Sequence, residues 1–119
     1  MKTIRHPNVV GFHDIVMEKG HAYLIEEYCE EGDLAFHIRR QIRKKRSYFS
    51  ERTIAKWLLQ LLLALEYLHN KKIMHRDIRP QNIFLTSLGN LKLGCFRSSK
   101  VSCYLLRCLI INRHFRLLF

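Results

Sequence analysis

No acidic side chain follows Asp77. All ten carboxylates lie between Asp14 and Asp77, whereas residues 78–119 carry seven lysines and arginines. The net charge of +11 is therefore lopsided as well as high. Such charge attracts phosphate, nucleic acid or anionic lipid without choosing among them. Glycine and proline are scarce, five and two in 119 residues, and no Gly/Ser-rich linker or internal repeat divides the chain. Cys29, Cys95, Cys103 and Cys108 show no C-x-x-C spacing and no histidine at zinc-finger distance, which argues against a structural zinc module. No apolar run approaches a membrane span, because Arg107 and Arg113 interrupt the greasiest segment. No leader pattern follows Met1. The expectation is a soluble chain with free thiols in the reducing cytoplasm, with the nucleus as second choice.

What is present suffices for a packed core: 48% of the residues are hydrophobic. At 119 residues the chain is one small domain or part of a larger one. Residues 9–17 are rich in β-branched and aromatic side chains and read as a strand. Glu18-Lys19-Gly20 supplies a turn, and His21–Tyr28 reads as the returning strand. Asp33 is placed to cap a helix from about Leu34 to Arg43. The strongest helix starts after Ser50. Ile54, Trp57, Leu58, Leu61, Leu65 and Leu68 recur at three- and four-residue intervals, and Leu59, Leu62 and Leu63 spread apolar surface around most of its circumference. Such a helix calls for cover on several sides. It ends near His69-Asn70, and Ile73-Met74, Ile83–Leu85 and Leu91–Leu93 read as short strands, the last two joined by a turn over 87–90.

Between these strands stands the run His75-Arg76-Asp77-Ile78-Arg79-Pro80-Gln81-Asn82. A carboxylate followed five residues later by an amide presents a proton acceptor and an oxygen ligand from one turn. Three residues alone recur by chance. The full spacing, followed by an apolar hairpin, is far more specific.

This run resembles the catalytic loop of protein kinases, H-R-D-x-x-x-x-N. His6-Pro7-Asn8-Val9-Val10, Glu27-Tyr28-Cys29-Glu30-Glu31-Gly32-Asp33-Leu34 and Gln81-Asn82-Ile83-Phe84-Leu85-Thr86 are similar to the NIMA-related serine/threonine kinases in particular. The resemblance covers roughly residues 3–101. It implies an α+β, protein-kinase-like but partial fold: the hinge strands of the small lobe plus the first part of the helical large lobe. Residues 1–100 are expected to form that partial domain, with 101–119 as an unassigned apolar, basic tail.

By the same resemblance Asp77 is the catalytic base, Asn82 a magnesium ligand, and Arg79 stands where such kinases place a lysine near the transferred phosphate. Arg79 keeps the charge, though a guanidinium is not an equivalent point donor. Glu27 and Cys29 match the hinge residues whose backbone carbonyl and amide hold adenine, and Phe84 matches the floor beneath the base. For Phe84 ordinary core packing is an equal reading. ATP and Mg²⁺ are the implied cofactors and a protein substrate the implied partner.

Three departures weaken that activity. Cys95 stands where the family has a metal-holding aspartate, and a soft thiol suits a hard cation poorly. Arg97 replaces a glycine, and Glu26 occupies a position that is apolar in the family. The 119 residues hold no glycine-rich loop, no V-A-I-K lysine and no Ala-Pro-Glu. The expectation is a truncated kinase domain with little or no activity and weak nucleotide binding, prone to self-association through uncovered apolar surface. The competing reading is a non-catalytic, kinase-derived protein-binding fragment. Nucleic-acid binding rests on charge alone, since the basic run Arg39–Arg46 has no aromatic platform beside it and reads as a solvated helix end. In residues 101–119, thirteen of nineteen are apolar and none matches a kinase element. An alternative exon, a frameshift or a decayed copy would each yield such a tail; packing back over the leucine-rich helix as cover is the plain structural alternative, and a membrane-surface segment a weaker third.

Overall fold

The computed structural model describes residues 4–19, 21–45, 48–94 and 100–101. Two helices and six strands are assigned there: β1 (Phe12–Glu18), β2 (His21–Glu26), α1 (Leu34–Lys45), α2 (Glu51–Asn70), β3 (Ile73–Met74), β4 (Ile83–Leu85), β5 (Leu91–Leu93) and β6 (Lys100–Val101). They pair as three two-stranded antiparallel sheets, β1 with β2, β3 with β6 and β4 with β5. The observed partial α+β organisation is that expected from the sequence. The pairing of β6 with β3 was not anticipated.

The long helix begins where its chemistry requires. Ser50 has extended backbone, and its Oγ accepts a hydrogen bond from the Thr53 amide at 3.2 Å, satisfying one of the four amides a helix start leaves unpaired. Asp33 caps α1 in the same way, its Oδ1 accepting from the Phe36 amide at 2.7 Å. At the other end of α2 the Lys71 amide donates to the carbonyls of Leu68 and Tyr67, and Lys72 turns the chain away with φ +61°.

The core lies between α2 and the β4–β5 hairpin. Ala64 and Leu68 of α2 are fully buried against Ile73, Ile83, Leu85, Leu91, Leu93 and Val9, with Trp57, Leu61 and Leu65 partly buried around them. Strand alternation explains the hairpin's share: Ile83, Leu85, Leu91 and Leu93 point to α2, while Phe84 and its cross-strand partner Lys92 point to the opposite face. Polar side chains of α2 secure the hairpin turn. Trp57 donates its indole N–H to the Gly89 carbonyl at 3.2 Å, and the Leu91 amide donates to Gln60 Oε1 at 2.8 Å. The outer face of α2 stays uncovered in part, with Ile54, Leu58, Leu59, Leu62 and Leu63 all exposed. Residues 102–119, for which a covering role was expected, lie outside the described residues.

The first strand differs from its expected range. Residues 9–10 do not join β2. The Val10 amide donates to the Leu93 carbonyl and the Leu93 amide to the Asn8 carbonyl, so this stretch runs parallel beside β5. Both valines are buried there, a better fate for β-branched side chains than the exposed β1–β2 hairpin offers. The chain changes partner at Gly11, and β1 proper starts at Phe12.

Candidate active site

The catalytic-loop run is folded by one buried imidazole. His75, 2% exposed, donates from Nε2 to the Gly94 carbonyl at 2.7 Å and accepts the Asp77 amide at Nδ1 at 3.3 Å. Those two bonds define its tautomer. Arg76 adopts left-handed backbone at φ +64°, a conformation that costs an L-residue energy and persists where the surroundings demand it. It reverses the chain so that His75 points inward while Asp77 is half-buried at the surface. Arg79 is extended, as a residue before proline tends to be, and Pro80–Asn82 closes in a single 3₁₀ turn.

That turn brings three of the sequence-derived site residues together. Asn82, 3% exposed, donates from Nδ2 to both the carbonyl and Oδ2 of Asp77, each at 2.8 Å. Arg79 Nε lies 3.4 Å from Asp77 Oδ1. With the arginine side chain half exposed, this ion pair adds little to stability. Its effect is positional, because it directs one carboxylate oxygen toward a cation and leaves the other on the amide. The Gly94 amide donates to the Asn82 carbonyl at 2.9 Å, tying the loop to the end of β5. Cys95, Phe96 and Arg97, the next residues along, lie outside the described residues.

The hinge residues gather on the other side of Gly94. β2 ends at Glu26, half-buried opposite Phe12 and not without a partner. The Glu27 amide donates to the Gly11 carbonyl at 2.7 Å, and its carboxylate accepts the Gly11 amide at 3.0 Å. Lys92 Nζ reaches both carboxylate oxygens of Glu27, at 2.9 and 3.0 Å. Burial favours the neutral acid, but the hydrogen bonds from Lys92 and Gly11 outweigh it and hold the Glu27 carboxyl below its ordinary range. Cys29 is 8% exposed, and burial followed by the Glu27 charge pushes its thiol up. Its carbonyl accepts the Gly32 amide at 3.1 Å. Phe84 lies between the two clusters, half-buried and packed so closely on Gly94 that a Cβ there would come within 2.9 Å of the ring.

Sequence reasoning placed Asp77, Arg79 and Asn82 in one cluster and Glu27, Cys29 and Phe84 beside the hinge. It missed Lys92, which joins hinge to hairpin. The available signal was a lysine between two core leucines in a strand, a charge that must find a partner or water. The partner's identity was invisible, since Glu27 stands 65 residues away in sequence.

Kinases of this family use ATP with Mg²⁺. Hinge backbone and a half-buried aromatic suit a purine base. The metal donors fit less well. The Asn82 amide oxygen is a hard donor that suits Mg²⁺, its nitrogen being held on Asp77, but the sequence carries a thiol at position 95 where the resembled kinases have a carboxylate. Among the described residues no cluster of three or more His, Cys, Asp or Glu side chains is placed to hold a metal. Nor, among them, is any helix long and apolar enough to cross a membrane.

Comparison with known proteins agrees with this geometry. The protein kinase domain model matches residues 1–103. The chain is 39% identical over 101 residues to the mouse serine/threonine-protein kinase Nek3, a match covering 85% of this chain and 19% of that protein. Mouse Nek1 is 42% identical over 101 residues, covering 85% of this chain and 8% of the relative. Human Nek5 is 41% identical over 102 residues, covering 85% and 14%. The chain thus spans less than a fifth of the length of these relatives. With the catalytic-loop spacing, the hinge and the family match in agreement, the chain belongs to the protein kinase family, and over most of its length it is similar to the NIMA-related serine/threonine kinases.

Proposed function

We propose that residues 1–100 form the hinge and catalytic-loop portion of a serine/threonine protein kinase, with 101–119 a separate tail, and that these 119 residues alone transfer little or no phosphate. The observation that carries the reading is the Asp77–Asn82–Arg79 cluster fastened through His75 to Gly94. Within a complete kinase site Asp77 would accept the proton of a protein serine or threonine hydroxyl, and Arg79 would steady charge on the transferring phosphoryl group. The Glu27 carbonyl and the Cys29 amide bind the adenine edge, and Phe84 lies under the base. Phosphoryl transfer depends on positioning and electrostatics. Within these residues no glycine-rich loop or paired lysine grips the phosphates, and Cys95 is a poor magnesium ligand. Adenine binding is therefore weak and needs no magnesium.

The test is transfer of radiolabelled phosphate from ATP to a generic basic protein, with Asp77→Asn as control. No turnover above background is expected. Turnover that vanishes in Asp77→Asn overturns the proposal of inactivity.

The exposed leucines of α2 support a second reading, a protein-binding fragment that associates with another chain or itself. Concentration-dependent mass in sedimentation is its expected signature, and a monomer at all concentrations removes self-association. The cytoplasm is the compartment we favour, with the nucleus as second choice.

A further inference from the structure

We propose that Lys92 is a positioning residue of the nucleotide hinge, acting through the Glu27 carboxylate, a role that rests on the adenine-binding reading of the Glu27 carbonyl and the Cys29 amide. Four contacts converge on residue 27. Its amide donates to the Gly11 carbonyl, its carboxylate accepts the Gly11 amide, and Lys92 bridges both carboxylate oxygens. Backbone and side chain of one residue are thus held by the same glycine, so the plane of the following peptide has little freedom. Gly11 is itself placed by the stretch 8–10, which pairs with β5, and the Asn8 side chain donates to the Leu91 carbonyl at 2.9 Å. The clamp therefore starts and ends on β5.

Lys92 is a costly choice for that strand unless it has this purpose. Its side chain is 14% exposed, flanked by two core leucines, and its ammonium must be desolvated to reach Glu27. A surface pair of the same residue types would cost less and hold nothing. Here the pair spans the junction between hairpin and hinge and leaves the Glu27 carbonyl outside the strand ladder, which ends at Glu26. A ligand meeting a hinge already ordered need not supply the free energy of ordering it, a difference of roughly tenfold in affinity.

The test compares wild type, Lys92→Met, Lys92→Arg and the isosteric Glu27→Gln in two measurements. Hydrogen exchange reports amides 27–29, with the α2 amides of Ala64 and Leu68 as internal reference. Titration with adenosine, which carries no phosphate, reports the base site. In Lys92→Met we expect amides 27–29 to exchange about tenfold faster relative to the α2 reference. Adenosine should bind about tenfold more weakly, with much of both losses restored by Lys92→Arg. Glu27→Gln, which keeps the shape and removes the charge, should follow Lys92→Met if the latter fails to fold. Unchanged exchange at 27–29 in the folded variants overturns the clamp, even where adenosine binds. Faster exchange in a chain whose wild type binds no adenosine supports the clamp and removes the adenine reading.

Discussion

Two antiparallel hairpins in this chain differ in the direction opposite to their length. β1–β2 has six paired positions and β4–β5 three. Yet in the longer hairpin Ile15, Val16, Met17, Tyr23, Leu24 and Ile25 are all exposed, while in the shorter one Ile83, Leu85, Leu91 and Leu93 are buried. Both carry strand-forming residues. What separates them is a second layer. β4–β5 has α2 on one face and the Val10–Glu27 region on the other, whereas an isolated two-stranded ribbon is marginal in water. Strand propensity expresses the chance to pack on something, and among the described residues only the shorter hairpin has that chance.

The largest expected break in this symmetry comes from truncating one leucine in each. Leu93 is 0% exposed and Leu24 48%. Leu93→Ala should cost about 3 kcal/mol, for lost transfer energy and the cavity left behind. Leu24→Ala should cost less than about 1 kcal/mol. Urea denaturation of the two variants checks this, and equal losses would show that β1–β2 is covered in solution.

A second contrast lies inside the buried hairpin. A Cβ at Gly94 would meet the Phe84 ring and Val10 at 2.9 Å, while Gly89 at φ +69° faces open space. Gly94→Ala should therefore cost about 1–3 kcal/mol through overpacking. Gly89→Asn, an exchange that left-handed backbone tolerates, should cost under about 1 kcal/mol. Thermal melts of both variants measure the difference.

The smallest effect is expected where the hairpins meet. The Glu27 carboxyl titrates below its ordinary 4.5 in the folded chain. A depressed carboxyl contributes stability that is fully present above 4.5 and lost as pH falls through the folded value. The gap in melting temperature between wild type and Lys92→Met should thus be constant from pH 7 to about 5 and narrow in more acid solution. A gap independent of pH throughout would mean that Lys92 acts through packing alone.

Much of this was legible beforehand because it is local. Ser50 and Asp33 cap helices through amides three residues on, and Pro80 sets the backbone of Arg79 and the turn that returns Asn82 to Asp77. These interactions need no knowledge of the rest of the chain. The departure of residues 9–10 from β1 was not legible, since β-branched residues suit either partner and the decision belongs to burial beside β5. Nor was the depth of Ala64, which carries no strong apolar signal and is 0% exposed because the hairpin approaches α2 at that point.

The amino-acid sequence by itself determined both helices, the β4–β5 hairpin, the closed catalytic-loop turn and the family, since capping, periodicity and motif spacing act over a few residues. Tertiary structure alone decided which hairpin became core and which side of α2 was covered. It also decided that Lys92 would meet a carboxylate 65 residues earlier, because burial and ion pairing depend on distances in space that no local pattern encodes.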